Sequence, residues 1–313
     1  MKVKYILYGI LIGLLPVAYL TFLAPHQNNV LQATSFSDSA GIYSRSVTSV
    51  TPPTEAYLFG KPIPLKENWE VRERFEREFY YNYVNADQLV LWWKRLGRWG
   101  RMVDSSLDAN GLDRDLKYLM VAESGVRNIE SASHANGFWQ FIPPTAQLWG
   151  LRVDEDIDER LDPIKSTAAA MRYLSKLKNQ FGDYFLAAAA YNMSESNLSL
   201  SLKNQGQARY WDLYLNEETM RYVLRIAVIK EILEHGARYG LRFDSLAPYE
   251  PWNVQYIMVT GPVENVADWA AEKGFAYKDV KIYNPWIIGH SLPEGSFSVA
   301  LPASESARTT LGK

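Results

Sequence analysis

From about Trp69 the chain reads as helix. Apolar side chains fall at Val71, Phe75 and Phe79 with charged residues between them, an i, i+4 stripe that predicts one buried face. Helical spacing continues through residues 86–107, which carry Trp92, Trp93 and Trp99. It resumes after Asp113, a candidate N-cap, over residues 116–122. Residues 166–181 form a further helix with the stripe Ala170, Leu174, Leu177 and Phe181, and Gly182 is placed to end it. An alanine-rich helix is expected at 184–191, and a long one at 217–235, closed by Gly236. No stretch of 70–240 alternates as a strand would. The tail differs: residues 255–259 and 297–302 read as short strands, with helices at 263–273 and 277–283 between them. This β-α-α-β order predicts a small module set off by Pro248 and Pro251.

The N-terminal pattern is of another kind. Lys2 and Lys4 precede residues 5–24, twenty positions without a charge. That length matches the hydrocarbon thickness of a bilayer, whereas a signal peptide has a shorter apolar region and a small-residue cleavage site. Phe22-Leu23-Ala24 is a poor cleavage site, so an uncleaved anchor is favoured over a cleaved signal. Either way the lysines stay in the cytoplasm and the remainder is exported, to the periplasmic side of the cell envelope. Residues 25–57, rich in Ser, Thr, Pro, Asn and Gln, read as a flexible tether. The expected layout is an anchor or signal at 1–24, the tether at 25–57, a helical domain at 58–247 and a small C-terminal module at 248–313.

Composition narrows the choices. The 313 residues include no cysteine, which excludes disulfides, Cys-ligated metal, a thiol nucleophile and a lipid-modified cysteine. A net charge of -2 argues against a nucleic-acid binder. The four histidines (His26, His134, His235, His290) show no ligand spacing, so neither a metal nor another cofactor is expected. There is no phosphate-binding loop and no nucleophile elbow. Twenty Tyr and ten Trp are an unusual surplus, suited to a thick core or a binding groove.

Candidate chemistry gathers in three places. Glu123-Ser124 closes the helix over 116–122. After an irregular stretch comes Gly137-Phe138-Trp139-Gln140-Phe141-Ile142-Pro143-Pro144-Thr145-Ala146, and later Ala190-Tyr191-Asn192. An E-S pair, a G-x-x-Q element and an A-Y-N element in this order resemble the lysozyme-like transglycosylases that cleave bacterial peptidoglycan. The resemblance extends through Asp158-Glu159-Arg160, Lys165-Ser166-Thr167, Glu217-Glu218-Thr219 with Tyr222-Val223, and Tyr283-Asn284-Pro285-Trp286. It implies a mainly α fold, a lysozyme-like catalytic domain followed by a small α+β module that also resembles the LysM glycan-binding module.

The same resemblance implies that Glu123 is the one catalytic carboxylate, acting first as acid and then as base on the bond between N-acetylmuramic acid and N-acetylglucosamine. Its pKa is expected to be raised by an apolar pocket. Ser124 would donate to the substrate or to the cleft backbone. Gln140 would bond sugar near the cleavage point, and Gly137 would admit a close approach of the glycan. Tyr191 would bring its hydroxyl near Glu123, Asn192 would tie the site together, and Tyr222 would reach it from the last long helix. Trp139 reads as core. Glu130, Asp154, Glu155, Asp156 and Asp158 read as loop caps or solvated charges rather than a second catalytic acid. The expected partners are peptidoglycan glycan strands and, through residues 5–24, a membrane. Two rivals remain open: a hydrolase of goose-lysozyme type, and a non-catalytic peptidoglycan-binding protein.

Two positions depart from the resemblance. Met193-Ser194-Glu195 lacks the glycine that usually follows A-Y-N, so Ser194 would be strained if the backbone there needs a positive φ. Val126 stands where such proteins frequently carry Phe.

Overall fold

The computed structural model describes residues 49–303. The expected anchor at 5–24 lies outside the described residues, as does most of the tether. Among the described residues no helix is long and apolar enough to cross a membrane. The chain is already packed before the boundary expected at 58. Tyr80 donates to the Val50 carbonyl at 3.2 Å, and Ala56 is buried.

A two-residue hairpin opens the fold, β1 (Tyr57–Leu58) against β2 (Lys61–Pro62). Then come α1 (Trp69–Val84), α2 (Ala86–Ala109), α3 (Leu116–Ser124), α4 (Pro143–Leu148), α5 (Pro163–Phe181), α6 (Tyr184–Met193), α7 (Glu195–Gln205) and α8 (Glu217–His235). Helix α8 is buried along most of its length and packs against α1, α3 and α6. The four alanines at the centre of α6, Ala187 to Ala190, are all buried, and their small side chains let α5 and α8 approach its axis. Val71, Phe75 and Phe79 are the core face of α1, as their spacing requires.

Helix ends follow local chemistry. Asn68, Asp162, Asp183, Asn216 and Asn265 each accept backbone N–H bonds at an N-terminus. Helix α5 begins before the expected residue 166 because Asp162 caps it and Pro163 occupies its first turn, where no N–H is needed. Asp113 caps only the turn before α3, accepting from Asp115 N–H at 2.9 Å. The helix proper begins at Leu116, and the Asp115 carboxylate takes bonds from Phe59 N–H and Lys230, both 2.7 Å. Gly236 does not stop α8 by a left-handed turn. It stays right-handed and leads into a 3-10 turn, where a Cβ would lie 2.6 Å from the Phe243 ring. The glycine serves packing there, not reversal.

The tail contains β3 (Val254–Thr260), α9 (Val266–Glu272), α10 (Tyr277–Tyr283) and β4 (Ser296–Pro302), with β3 and β4 antiparallel over their whole length. The β-α-α-β order is as expected. Its core is a second apolar cluster that includes Val266, Val280, Trp286 and Val299, together with Ile157 from the helical part. Asp158 N–H donates to the Trp286 carbonyl, and Ile288 and Gly289 N–H both donate to the Asp156 carbonyl. A Cβ on Gly289 would come within 2.4 Å of Asp156. The module therefore sits directly on the 153–162 loop.

Candidate active site

Helix α3 brings Glu123 to its last turn with the buried face Leu119, Met120 and Val121 behind it. Gly125 then ends the helix in the left-handed conformation, at φ 61°, and bonds the Val121 carbonyl. A side chain there is doubly excluded, since a Cβ would meet the Trp92 indole at 2.4 Å. Arg95 adds a bond to the Gly125 carbonyl at 3.0 Å. Trp92 and Arg95 of α2 thus pin the turn that follows Glu123. Val126 also has positive φ, 58°, an unfavourable conformation for a β-branched residue that its burial holds in place.

The Glu123 residue keeps partial access to solvent, while its carboxyl is sunk between α6 and α8. Tyr222 donates to Glu123 Oε1 at 2.5 Å. Burial is the largest influence on the carboxyl and pushes its pKa up to about 7; the Tyr222 bond and Arg225 pull it down, and Glu218 pushes it up. At neutral pH the group is therefore divided between acid and carboxylate, so it can both give and accept a proton. Burial and the Glu123 charge raise both the Tyr222 and Tyr191 hydroxyls, which remain protonated donors. Tyr191 spends its proton on the Trp139 carbonyl at 2.7 Å.

The other expected site residues lie around this pair, several of them facing protein. Ser124 is buried and donates to the Phe138 carbonyl at 2.9 Å, the backbone alternative of its two expected roles. It also accepts from Arg127 N–H. Gly137 has φ 80°, and a Cβ there would lie 1.9 Å from the Arg160 carbonyl oxygen. The close approach it permits is therefore to the protein's own backbone. Gln140, at φ 50°, directs its amide nitrogen to the Ile129 and Gly137 carbonyls, both at 2.8 Å. Asn192 accepts from Thr219 Oγ1 at 2.8 Å and so links the end of α6 to the start of α8. Trp139 is fully buried, and its indole N–H bonds Thr167.

Sequence reasoning missed the clamp on the 126–142 loop. Arg160 and Asp158 form a buried bidentate ion pair, and Arg160 Nη1 donates to the His134 and Phe141 carbonyls. Asp158 also caps the 3-10 turn that contains Arg160. It is a cap, but not a solvated one. The signal was the Asp-x-Arg spacing, which brings both groups onto one short turn. Ser194 has φ 76° and ψ 149°, a region suited to glycine, so the strain expected at this departure is present. Among the described residues no cluster of three metal-ligating side chains occurs.

Residues 105–214 match the Transglycosylase SLT domain, and residues 255–305 match the soluble lytic transglycosylase C-terminal LysM-like domain. Over 207 residues the chain is 28% identical to membrane-bound lytic murein transglycosylase D of Escherichia coli strain K12, covering 63% of this chain and 45% of that protein. The protein of the same name from Escherichia coli O6:H1 gives the same identity and coverage. The chain thus spans less than half the length of the curated relatives it matches. It carries an SLT transglycosylase domain and a LysM-like C-terminal domain on a mostly helical fold.

Proposed function

We propose that this chain is a lytic transglycosylase that cleaves the β-1,4 bond between N-acetylmuramic acid and N-acetylglucosamine in peptidoglycan. The observation that carries the reading is Glu123, a buried carboxyl titrating near neutrality, with a hydroxyl donor on one oxygen. In the protonated form Glu123 gives its proton to the glycosidic oxygen as the C1–O bond breaks and the N-acetylglucosamine side leaves as an alcohol. The resulting carboxylate takes the proton from the muramic C6 hydroxyl as that oxygen bonds to C1 of the same sugar. The product is a 1,6-anhydro ring, Glu123 is again protonated, and no water is consumed. The nucleophile belongs to the substrate, so its attack carries the entropic advantage of proximity.

A glycosidase that uses water or a covalent intermediate needs a second carboxyl group placed for it. Glu218, the other carboxylate whose charge reaches Glu123, is held by Arg225 at 3.1 Å. That pairing favours the intramolecular route over hydrolysis. In this reading Tyr222 holds Glu123 directly. Ser124, Gly137, Gln140, Tyr191 and Asn192 shape the cleft wall, mainly by fixing the 126–142 loop and the end of α6 against α8.

The remaining assignments follow from the layout of the chain. Residues 1–24 serve as a membrane anchor or signal, the chain after them as a tether that ends where packing begins near Val50, residues up to 247 as the catalytic domain and 248–313 as the small module. The enzyme then works in the cell envelope, with peptidoglycan strands as substrate on the outer side of the membrane. The test is digestion of purified cell wall followed by mass analysis of the muropeptides. Anhydro ends that vanish with Glu123→Gln support the reading; reducing ends from the unaltered protein would identify a hydrolase instead.

A further inference from the structure

A buried charge cluster lies behind the site. Glu78 of α1 is fully buried and accepts from two arginines of α8, Arg221 at 2.5 Å and Arg225 at 3.4 Å. Arg225 also bonds both oxygens of Glu218, at 3.1 Å and 3.4 Å. Two cations and two anions balance, which is how charge is tolerated at such depth. On α8, Arg225 lies one turn beyond Tyr222 on the same face, and Tyr222 holds Glu123.

The charged and titratable groups around Glu123 come from four helices. Helix α8 supplies Tyr222, Arg225 and Glu218, and α6 supplies Tyr191. From α2, Arg95 binds the carbonyl of the next residue, Gly125, and α1 contributes Glu78 through Arg225. Of the two cations in this set, Arg95 is committed to a backbone carbonyl and Arg225 to the two carboxylates.

We propose that Arg225 is a positioning residue for the acid, a permanent cation whose field at Glu123 is set by how it is shared between Glu78 and Glu218. This rests on Glu123 being the catalytic acid. When Glu123 gives up its proton it becomes an anion in a poorly solvated place, and the Arg225 cation, one turn along α8 from the Tyr222 that holds it, steadies it. An unopposed cation would strip the proton before substrate arrives. Glu78, locked in the interior, removes part of the field permanently. Glu218 is 55% exposed and removes a further part from the surface. The two carboxylates thus hold the acid between premature ionisation and reluctance to ionise.

The test is a carbon-13 carboxyl titration of Glu123 in the full chain, with the pH profile of cell-wall digestion beside it. Arg225→Gln removes the cation, and Glu123 then titrates higher by roughly half a pH unit or more. Glu218→Gln removes an exposed anion, frees the cation, and moves the titration down by a similar amount. Arg225→Lys keeps the charge and stays within a few tenths of the unaltered protein. Each alkaline activity limb moves with its titration. Shifts of the same sign in Arg225→Gln and Glu218→Gln, or no shift in either, would overturn the proposal. If Arg225→Gln fails to fold, the surface change Glu218→Gln still decides by its direction. The titration needs no turnover. Absent anhydro products would thus defeat the proposed reaction while leaving the field measurement standing, and unmoved titrations beside normal products would defeat only the role of Arg225.

Discussion

Glu123→Gln changes stability in a way that depends on pH. An unfolded glutamate titrates at about 4.3, whereas in the fold burial pushes Glu123 up to about 7. The folded state therefore holds this proton more tightly. That contribution is fully present below about pH 4.3, where both states are protonated, and is lost as pH rises through about 7. At 1.36 kcal/mol per pH unit the gap corresponds to roughly 3–4 kcal/mol, and the partial solvent access of Glu123 reduces it to about 2–3 kcal/mol. Glutamine keeps the shape and cannot ionise. The variant should gain about 2–3 kcal/mol relative to the unaltered protein between about pH 4.5 and pH 8, on top of any constant offset from the changed bond to Tyr222. Urea unfolding of both proteins at those two values measures the difference directly. Stability differences equal at both pH values would mean that the fold does not perturb Glu123, and the case for a neutral-pH acid would fall with it.

Three further outcomes follow from the geometry. Tyr222→Phe removes the donor on the Glu123 carboxylate; the carboxyl should titrate roughly one pH unit higher, and the alkaline limb of activity should rise with it. Ser194→Gly relieves a backbone conformation suited to glycine and should stabilise the protein by about 1 kcal/mol in thermal or urea unfolding, less a few tenths for the lost N-cap of α7. Gly137→Ala drives a methyl into the Arg160 carbonyl; displacing the loop should cost several kcal/mol and abolish digestion, read by unfolding and by product release.

Much of the fold was legible because its signals are local. The stripe Val71, Phe75, Phe79 and the glycine at 182 that ends α5 speak through neighbours within one or two turns, and the structure has them where the pattern predicts. The tail strands were legible for the same reason. Partners were hidden where one residue type serves two purposes. Gly236 closes α8 where expected, but in a right-handed conformation, and its smallness is used in packing against Phe243, which lies seven positions on and across a turn. Gly137 carried the right need for a small residue but faces Arg160, and nothing in its neighbourhood names that partner. The charge cluster was the least visible part. Glu78 sits among the alternating charges of α1 and reads as a solvated position. Its burial is created only when α8, more than a hundred residues later, lays Arg221 and Arg225 over it. Aromatic surplus likewise divides by long-range contact: Trp92 backs Gly125, Trp139 is core, and Tyr191 and Tyr222 flank the acid.

The central claim is that Glu123 serves in turn as acid and base while the substrate supplies its own nucleophile. The direct measurement is mass analysis of muropeptides released from purified cell wall in water enriched in oxygen-18. The mechanism predicts 1,6-anhydro ends with no label from the unaltered protein and no release by Glu123→Gln. Labelled reducing ends, or undiminished release by Glu123→Gln, would contradict it.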